Sequence, residues 1–287
     1  MRISDALAMF LVQLQADGRS SHTIKQVERH VRLLARWAGD PPVAELGHEH
    51  VARFLASDAV RERADGGARK ASSANAIRSS VRGFCAFAHG AGYAAKNAAR
   101  LVRRARTRPP TPKALSDVDA AKLLGALAGA HGADELRDRA LFTTLLRTGL
   151  RLGSALALDI EDLDFDAGEV RVRALKGGGE DAVVMPGDLA ALLREHIGHR
   201  AGGALFLGSH GARIGARHAR RRLAQWAKRA GIADGAHPHQ LRHTCGQRIY
   251  RRTKDVLVVA SALLHRSVAS AAIYARADRA AVRAAMG

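Results

Sequence analysis

Aromatic residues make up only 4% of this 287-residue chain, and it contains seven prolines and two cysteines. So few aromatic and β-branched stretches argue against a large β sandwich or barrel. The abundant alanine and arginine favour helices, because they lose little side-chain entropy in that conformation. Cys85 and Cys245 lie 160 positions apart. They show no metal-ligand spacing, which excludes a disulfide framework and reads as two reduced thiols in a cytoplasmic protein. No apolar run approaches the length of a membrane span, and the opening MRISDALAMF lacks the pattern of a secretory signal.

Acidic residues are also scarce relative to basic ones. Forty-six Lys and Arg face 27 Asp and Glu, a formal net charge of +19 and a pI near 11.2. The excess is spread along the chain: +9 over residues 1–106 and +10 over the remainder. Such a chain repels itself unless a polyanion neutralises it, and nucleic acid is the natural partner. A generally basic protein with solvated faces is the plainer alternative.

What is present is helical periodicity. ISDALAMFLVQLQADG, SSHTIKQVERHVRLLARWAG, GHEHVARFLAS and SSANAIRSSVRGFCAFAHGAG predict four helices before residue 103. In the second, Ile24, Val27, Val31, Leu34 and Trp37 form the apolar stripe. Its polar face carries Lys25, Arg29, Arg32 and Arg36, and the last helix adds Arg78 and Arg82. These read equally as phosphate contacts or as solvated surface charge. RRARTRPPTPK, with Arg103, Arg104 and Arg106, cannot continue a helix through its prolines. It reads as a basic segment lying along a phosphate backbone, and it divides the chain into residues 1–106, a linker at 107–113, and 114–287. Ser116 then starts a helix. GEVRVRALKGGGEDAVVMP predicts a hairpin with Lys176 at its lip, after which helices resume to the end.

Chemistry concentrates in three places. In TGLRLGSALAL, Arg151 sits in a tight connection between helices, either as an anion ligand or as a cap on backbone carbonyls. In HPHQLRHT, a helix starting after Pro238 sets His239 and Arg242 on one face. The guanidinium fork matches two phosphate oxygens and the imidazole exchanges protons near neutrality. His237 and His243 read as solvent-facing or structural, and a zinc reading of the three histidines lacks a fourth ligand. In LLHRSVASAAIYAR, His265 and Tyr274 are nine residues apart, on opposite sides of any continuous helix. They share a site only if the helix breaks, for which Ser267 and Ser270 offer caps. Tyr274 taken alone is a core aromatic; beside cations its hydroxyl becomes a nucleophile.

In order and spacing, RDRALFTTLLRTGLRLGSALALDIEDLDF, HPHQLRHT and LLHRSVASAAIYAR resemble the signature segments of the tyrosine recombinase (phage integrase) family, of the compact Xer-like kind. The resemblance covers nearly the whole chain. It implies a mainly α fold: an N-terminal helical, SAM-like core-binding bundle and a C-terminal, mainly helical catalytic domain with a small β-hairpin. It also implies a metal- and ATP-independent, site-specific DNA recombinase with no cofactor. In that reading Tyr274 is the nucleophile that forms a 3′-phosphotyrosyl link. Arg151 and Arg242 hold the phosphate, Lys176 protonates the leaving 5′ oxygen, His239 accepts the tyrosine proton and His265 donates to the phosphate. The partners implied are double-stranded DNA with an inverted-repeat core site and three further copies in a tetramer, or a paired recombinase in a hetero-tetramer. The location implied is the cytoplasm, with the nucleoid. Ser154 stands where a carboxylate is usual, and Leu264 where glycine is. A type IB topoisomerase and a silent DNA-binding accessory protein are the alternatives; Tyr93 and Tyr250 read as packing residues.

Overall fold

The computed structural model describes all residues except 64, 107–112, 174–179, 209–210, 266 and 278–287. Lys176, Ala174 and the chain's last ten residues therefore lie outside the described residues. The chain divides into two compact units, Met1–Pro109 and Pro110–Gly287.

The first unit is all helical: α1 (Ile3–Ala16), α2 (Ser21–Ala38), α3 (His48–Ala56), α4 (Asp58–Arg61) and α5 (Ala71–Gly90). Ser20 caps α2 by accepting the Thr23 amide, and Gly39 ends it at φ +77°, a left-handed conformation that glycine adopts without strain. The core gathers Ile3, Val31, Leu34, Phe54, Ile77 and Phe84. Trp37 departs from the predicted stripe. It is 38% exposed with its ring tilted against Phe54, while His30 takes a core position and bonds Ser80 Oγ through Nδ1 at 2.9 Å. The fully buried stripe thus ends at Leu34 and Ala35, and Ala38 beyond it is only partly buried against the core. Asn75, buried in α5, exchanges two hydrogen bonds with the backbone of Ala105 (3.0 and 2.9 Å) and so pins the basic segment at residues 103–106.

The second unit runs α6 (Asp117–Ala128), α7 (Gly132–Thr148), α8 (Leu152–Ala157), β1 (Leu163–Asp164), β2 (Glu169–Val172), β3 (Asp181–Val184), α9 (Gly187–Ile197), α10 (Ala216–Arg229), α11 (Pro238–Thr253), α12 (Val256–Ala262) and α13 (Ala272–Ala277). The predicted hairpin pairs Val170 with Val183 and Val172 with Asp181, and β1 adds a third antiparallel strand beside β2. Strand alternation puts Val170, Val172 and Val183 inward. The main core contains Leu141, Phe142, Leu145, Phe206, Leu223 and Trp226. At its heart the fully buried carboxylate of Asp138 accepts from Arg137, Arg222 Nε and Trp226 Nε1. That is how a charge survives in a core: its lone pairs are filled by charged or polar donors.

Candidate active site

The site grows out of the start of α11. Pro238 occupies the first turn, where no amide partner is needed, and His237 caps it: its Nδ1 accepts the Gln240 amide while Gln240 Oε1 accepts the His237 amide. Four residues into this helix, Arg242 is 3% exposed, and its two terminal nitrogens donate to Gly149 O and Leu263 O, each at 2.6 Å. Gly149 lies two residues before Arg151, and Leu263 two before His265. One guanidinium thus ties together the connections that carry both.

Those connections are locally determined. Gly149 ends α7 at φ +65°, and a Cβ there would lie 2.3 Å from Leu263 Cδ2, so conformation and space both require glycine. Arg151 is the residue before α8. It is exposed, and among the described residues neither it nor Ser154 makes a side-chain hydrogen bond or ion pair. After α12, Leu264 turns the chain at φ +49°, a left-handed conformation unusual for leucine. The His265 amide closes that turn on Ala260 O. The break between His265 and Tyr274 is present: Ser267 caps a 3₁₀ turn at Val268–Ser270, and α13 follows. Ser270, the other expected cap, makes no side-chain hydrogen bond among the described residues.

Tyr274 is 3% exposed. Its hydroxyl lies 3.1 Å from Nδ1 of His243, and the two rings meet edge to face at 5.9 Å. The His239 ring stands edge-on to His243 at 4.6 Å. On the other side the phenol rests on Gly246, where a Cβ would come within 2.5 Å of Tyr274 Cζ. The arginine, the three imidazoles and the tyrosine therefore occupy one cluster.

Two family models match this chain: the phage integrase family over residues 113–280, and the phage integrase N-terminal SAM-like domain over residues 7–92. Tyrosine recombinase XerC of Chromobacterium violaceum is 32% identical over 285 residues, which is 96% of this chain and 91% of that protein. Tyrosine recombinase XerD of Mycobacterium tuberculosis is 31% identical over 274 residues, 90% and 88% of the two chains. The chain is a tyrosine recombinase of the phage integrase family. The fold agrees with solved structures. The XerH site-specific recombinase bound to a palindromic difH substrate superposes with a TM-score of 0.77 at 18% identity, over 94% of this chain and 80% of that one. A lambda integrase tetramer bound to a Holliday junction gives 0.73 at 18%, over 93% and 78%.

Electrostatics in the recombinase's site follow from burial beside fixed positive charge. Burial, then Arg151, draws the Arg242 guanidinium down to about 10, so it stays cationic at neutral pH. His265 is lowered to about 4 by burial, then by Arg242 and Arg151. His243 falls to about 4 through burial, His239 and Arg242, and His239 is lowered by burial, Arg242, His237 and Arg151. Burial pushes the Tyr274 phenol up to about 12 against the pull of Arg242. At neutral pH the cluster is two guanidiniums, neutral imidazoles and a protonated phenol, an arrangement that favours an entering anion. The Nδ1 of His265 is buried without a partner.

Of the residues singled out in the sequence, Arg151, His239, Arg242, His265 and Tyr274 fall in this cluster, and Lys176 lies outside the described residues. Lys25, Arg29, Arg32, Arg36, Arg82, Arg103, Arg104 and Arg106 are exposed, and Arg78 is half-buried. Lys25, Arg29, Arg32 and Arg36 line a groove of about 730 Å³ against α1, with Arg32 paired to Glu28 at 2.7 Å. His237 is structural, as expected. His243 needs correction: it faces the tyrosine hydroxyl, because residue 243 lies one helical turn beyond 239, toward α13. Gly246 was also missed. A lone glycine inside a helical pattern is the usual sign of a close approach, and here the approaching group is Tyr274.

Proposed function

We propose that this recombinase cuts and rejoins DNA at specific sites through a covalent 3′-phosphotyrosyl intermediate, with the residues of the cluster in the following roles. The Tyr274 oxygen attacks the scissile phosphorus, the bond to the 5′ oxygen breaks, and the bond energy is retained for rejoining. Arg151 and Arg242 offset the charge gathering on the non-bridging oxygens. Arg242 has N–H donors left beyond the two bonded to carbonyls. Lys176 protonates the departing 5′ oxygen. The phenolic proton passes to His239, with His243 as the imidazole that meets the hydroxyl beforehand. His265 donates to a phosphate oxygen.

The observation that supports this reading most is the unfilled polarity of the cluster. A buried His265 nitrogen has no partner, and the imidazoles are held neutral first by burial and then by the positive charge beside them. An entering phosphate supplies an acceptor for the first. Its negative charge also raises the basicity of the second, which pulls the proton from a phenol otherwise held near 12. Because Tyr274 is covered in the structure, attack includes release of its ring from Gly246.

Residues 1–106 act as the core DNA-binding domain, 107–113 as linker and 114–287 as catalytic domain. Lys25, Arg29, Arg32, Arg36, Arg78, Arg82, Arg103, Arg104 and Arg106 contact the phosphate backbone. The substrate is a duplex with an inverted-repeat core, and strand exchange proceeds in a tetramer of this chain or with a paired recombinase. The setting is the cytoplasm, with the nucleoid. Among the described residues no helix is long and apolar enough to cross a membrane.

The test compares the wild-type protein with Tyr274→Phe on fragmented source-genome DNA, sequencing the ends of protein-linked fragments after denaturation. Adducts on 3′ ends, clustered at a few inverted repeats and absent in the variant, are expected. Adducts that persist in Tyr274→Phe overturn the assignment of the nucleophile, and adducts without sequence preference overturn site specificity.

A further inference from the structure

Arg151 has no side-chain partner among the described residues, and the position three residues on, Ser154, gives it no carboxylate. Something else must hold its guanidinium in place, and the structure offers the tail of the helix it precedes. Helix α8 has six residues, too few to be stable or rigidly placed by its own hydrogen bonds. At its far end Arg213 Nη1 donates to Leu156 O and Leu158 O, both at 2.7 Å. These are carbonyls that a helix C-terminus leaves without internal partners. Arg213 Nη2 also donates to Asp159 Oδ1 at 2.5 Å. Asp159 and the buried Asp162 in turn meet Arg173, at 3.4 and 2.6 Å, on the strand end beside them. The tail of α8 is therefore clamped from two sides by charged groups, while its head carries an arginine with no clamp of its own.

We propose that Arg213 is a positioning residue for Arg151: it fixes α8 at its C-terminal end so that the guanidinium at the other end meets the phosphate in a set orientation. The inference rests on the phosphate-binding role given to Arg151 above. Over a length of six residues a shift at the helix tail reaches its head, and misplacement of a catalytic group by about 1 Å costs on the order of a hundredfold in rate.

The test is a double-mutant cycle on cleavage of the recombinase's own site, with DNA affinity and melting temperature measured alongside. Arg213→Ala is expected to slow cleavage by about ten- to a hundredfold while duplex affinity stays within about twofold. Arg151→Ala is expected to slow it by about a hundred- to a thousandfold. If Arg213 acts through Arg151, the double variant is no slower than Arg151→Ala alone. A second readout uses a scissile methylphosphonate, which removes one negative charge from the reacting group. The penalty of Arg151→Ala shrinks on that substrate, and the penalty of Arg213→Ala shrinks with it. Independent, multiplying defects, or an Arg213→Ala defect of equal size on both substrates, overturn the proposal. Cleavage undiminished in Arg151→Ala overturns the role of Arg151 itself and the proposal with it. Should Arg213→Ala fold poorly, Asp159→Asn removes the charge that anchors Arg213 and is put through the same cycle, with the same outcomes deciding.

Discussion

In the N-terminal unit the helix faces carry lysine and arginine toward solvent, and among the described residues Arg32–Glu28 and Arg63–Asp65 are the only ion pairs. In the C-terminal unit more of these residues are engaged. Arg137 and Arg222 close on buried Asp138, Arg173 and Arg213 on Asp159, and Arg229 on Glu135. The formal excess is nearly equal, +10 over residues 1–109 and +9 over residues 110–287, so net charge does not distinguish the units. Their disposition does. An arginine already neutralised by a carboxylate adds stability and little attraction for DNA, whereas a solvated one does the reverse. Arg151, like Arg217, Arg220 and Arg221, has no ion-pair partner among the described residues, but it is the one that stands beside the cluster of imidazoles.

The comparison can be broken first at Asp138. Asp138→Asn leaves Arg137 and Arg222 facing a neutral amide inside the core, and it should cost about 3–5 kcal/mol in chemical denaturation. A loss below about 1 kcal/mol would mean that the engaged arginines of the second unit hold nothing in place. Acid tests the first unit next. Burial, with Arg29 and Arg69, lowers His30 to about 4 from an ordinary value near 6.5. Protonation therefore favours the unfolded chain: the stability is present above pH 6.5 and is lost as pH falls toward 4. At pH 5 the cost from His30 is about 2 kcal/mol, and in His30→Gln that part of the pH slope should disappear.

A smaller effect sharpens the contrast between the two sets of depressed histidines. Binding of a duplex site should raise His239, His243 and His265, because phosphate offsets Arg151 and Arg242. All four are lowered first by burial, and His30, whose nearest cations are Arg29 and Arg69 rather than the pair that holds the scissile phosphate, should rise less. Histidine resonances followed through a pH titration, with and without DNA, check this. If the three histidines of the cluster do not rise on DNA binding, the cluster is not the anion site. The smallest expected change is in stability when Lys25, Arg29 or Arg36 is replaced by alanine, within about 0.5 kcal/mol. The same variants should each lower the slope of log affinity against log salt by about one. An unchanged slope would return these residues to ordinary surface charge.

Four of the first unit's five helices were legible because apolar residues recur at helical spacing and serine or glycine marks their ends; the single turn of α4 was too short to show a period. Trp37 shows the limit: the spacing that puts Leu34 in the core points to residue 37 as well, but the indole stays 38% exposed, tilted against Phe54. The segments of the candidate site were legible as residue types in order, and the break before Tyr274 was the condition for it to share a site with His265, nine residues away. His243 was not legible, since which of three neighbouring histidines meets a tyrosine thirty-one positions away depends on how α13 lies against α11. The third strand escaped for a similar reason: two residues, Leu163 and Asp164, become a strand only because β2 runs alongside them.

By itself the sequence determined the helical character of both units, the basicity that calls for a polyanion, the turns that need glycine at 39 and 149, and the segments from which the candidate site is built. Those are properties of local backbone preference and side-chain chemistry, and they travel with the chain in any conformation. Only the tertiary structure decided that Arg242 reaches the carbonyls of Gly149 and Leu263, that Tyr274 rests on Gly246 against His243, and that Arg213 clamps the helix beginning at Arg151. Each of these joins positions twenty to nearly a hundred residues apart. Such pairings, and the burial that shifts the histidines, exist only once the packed core has brought the segments together.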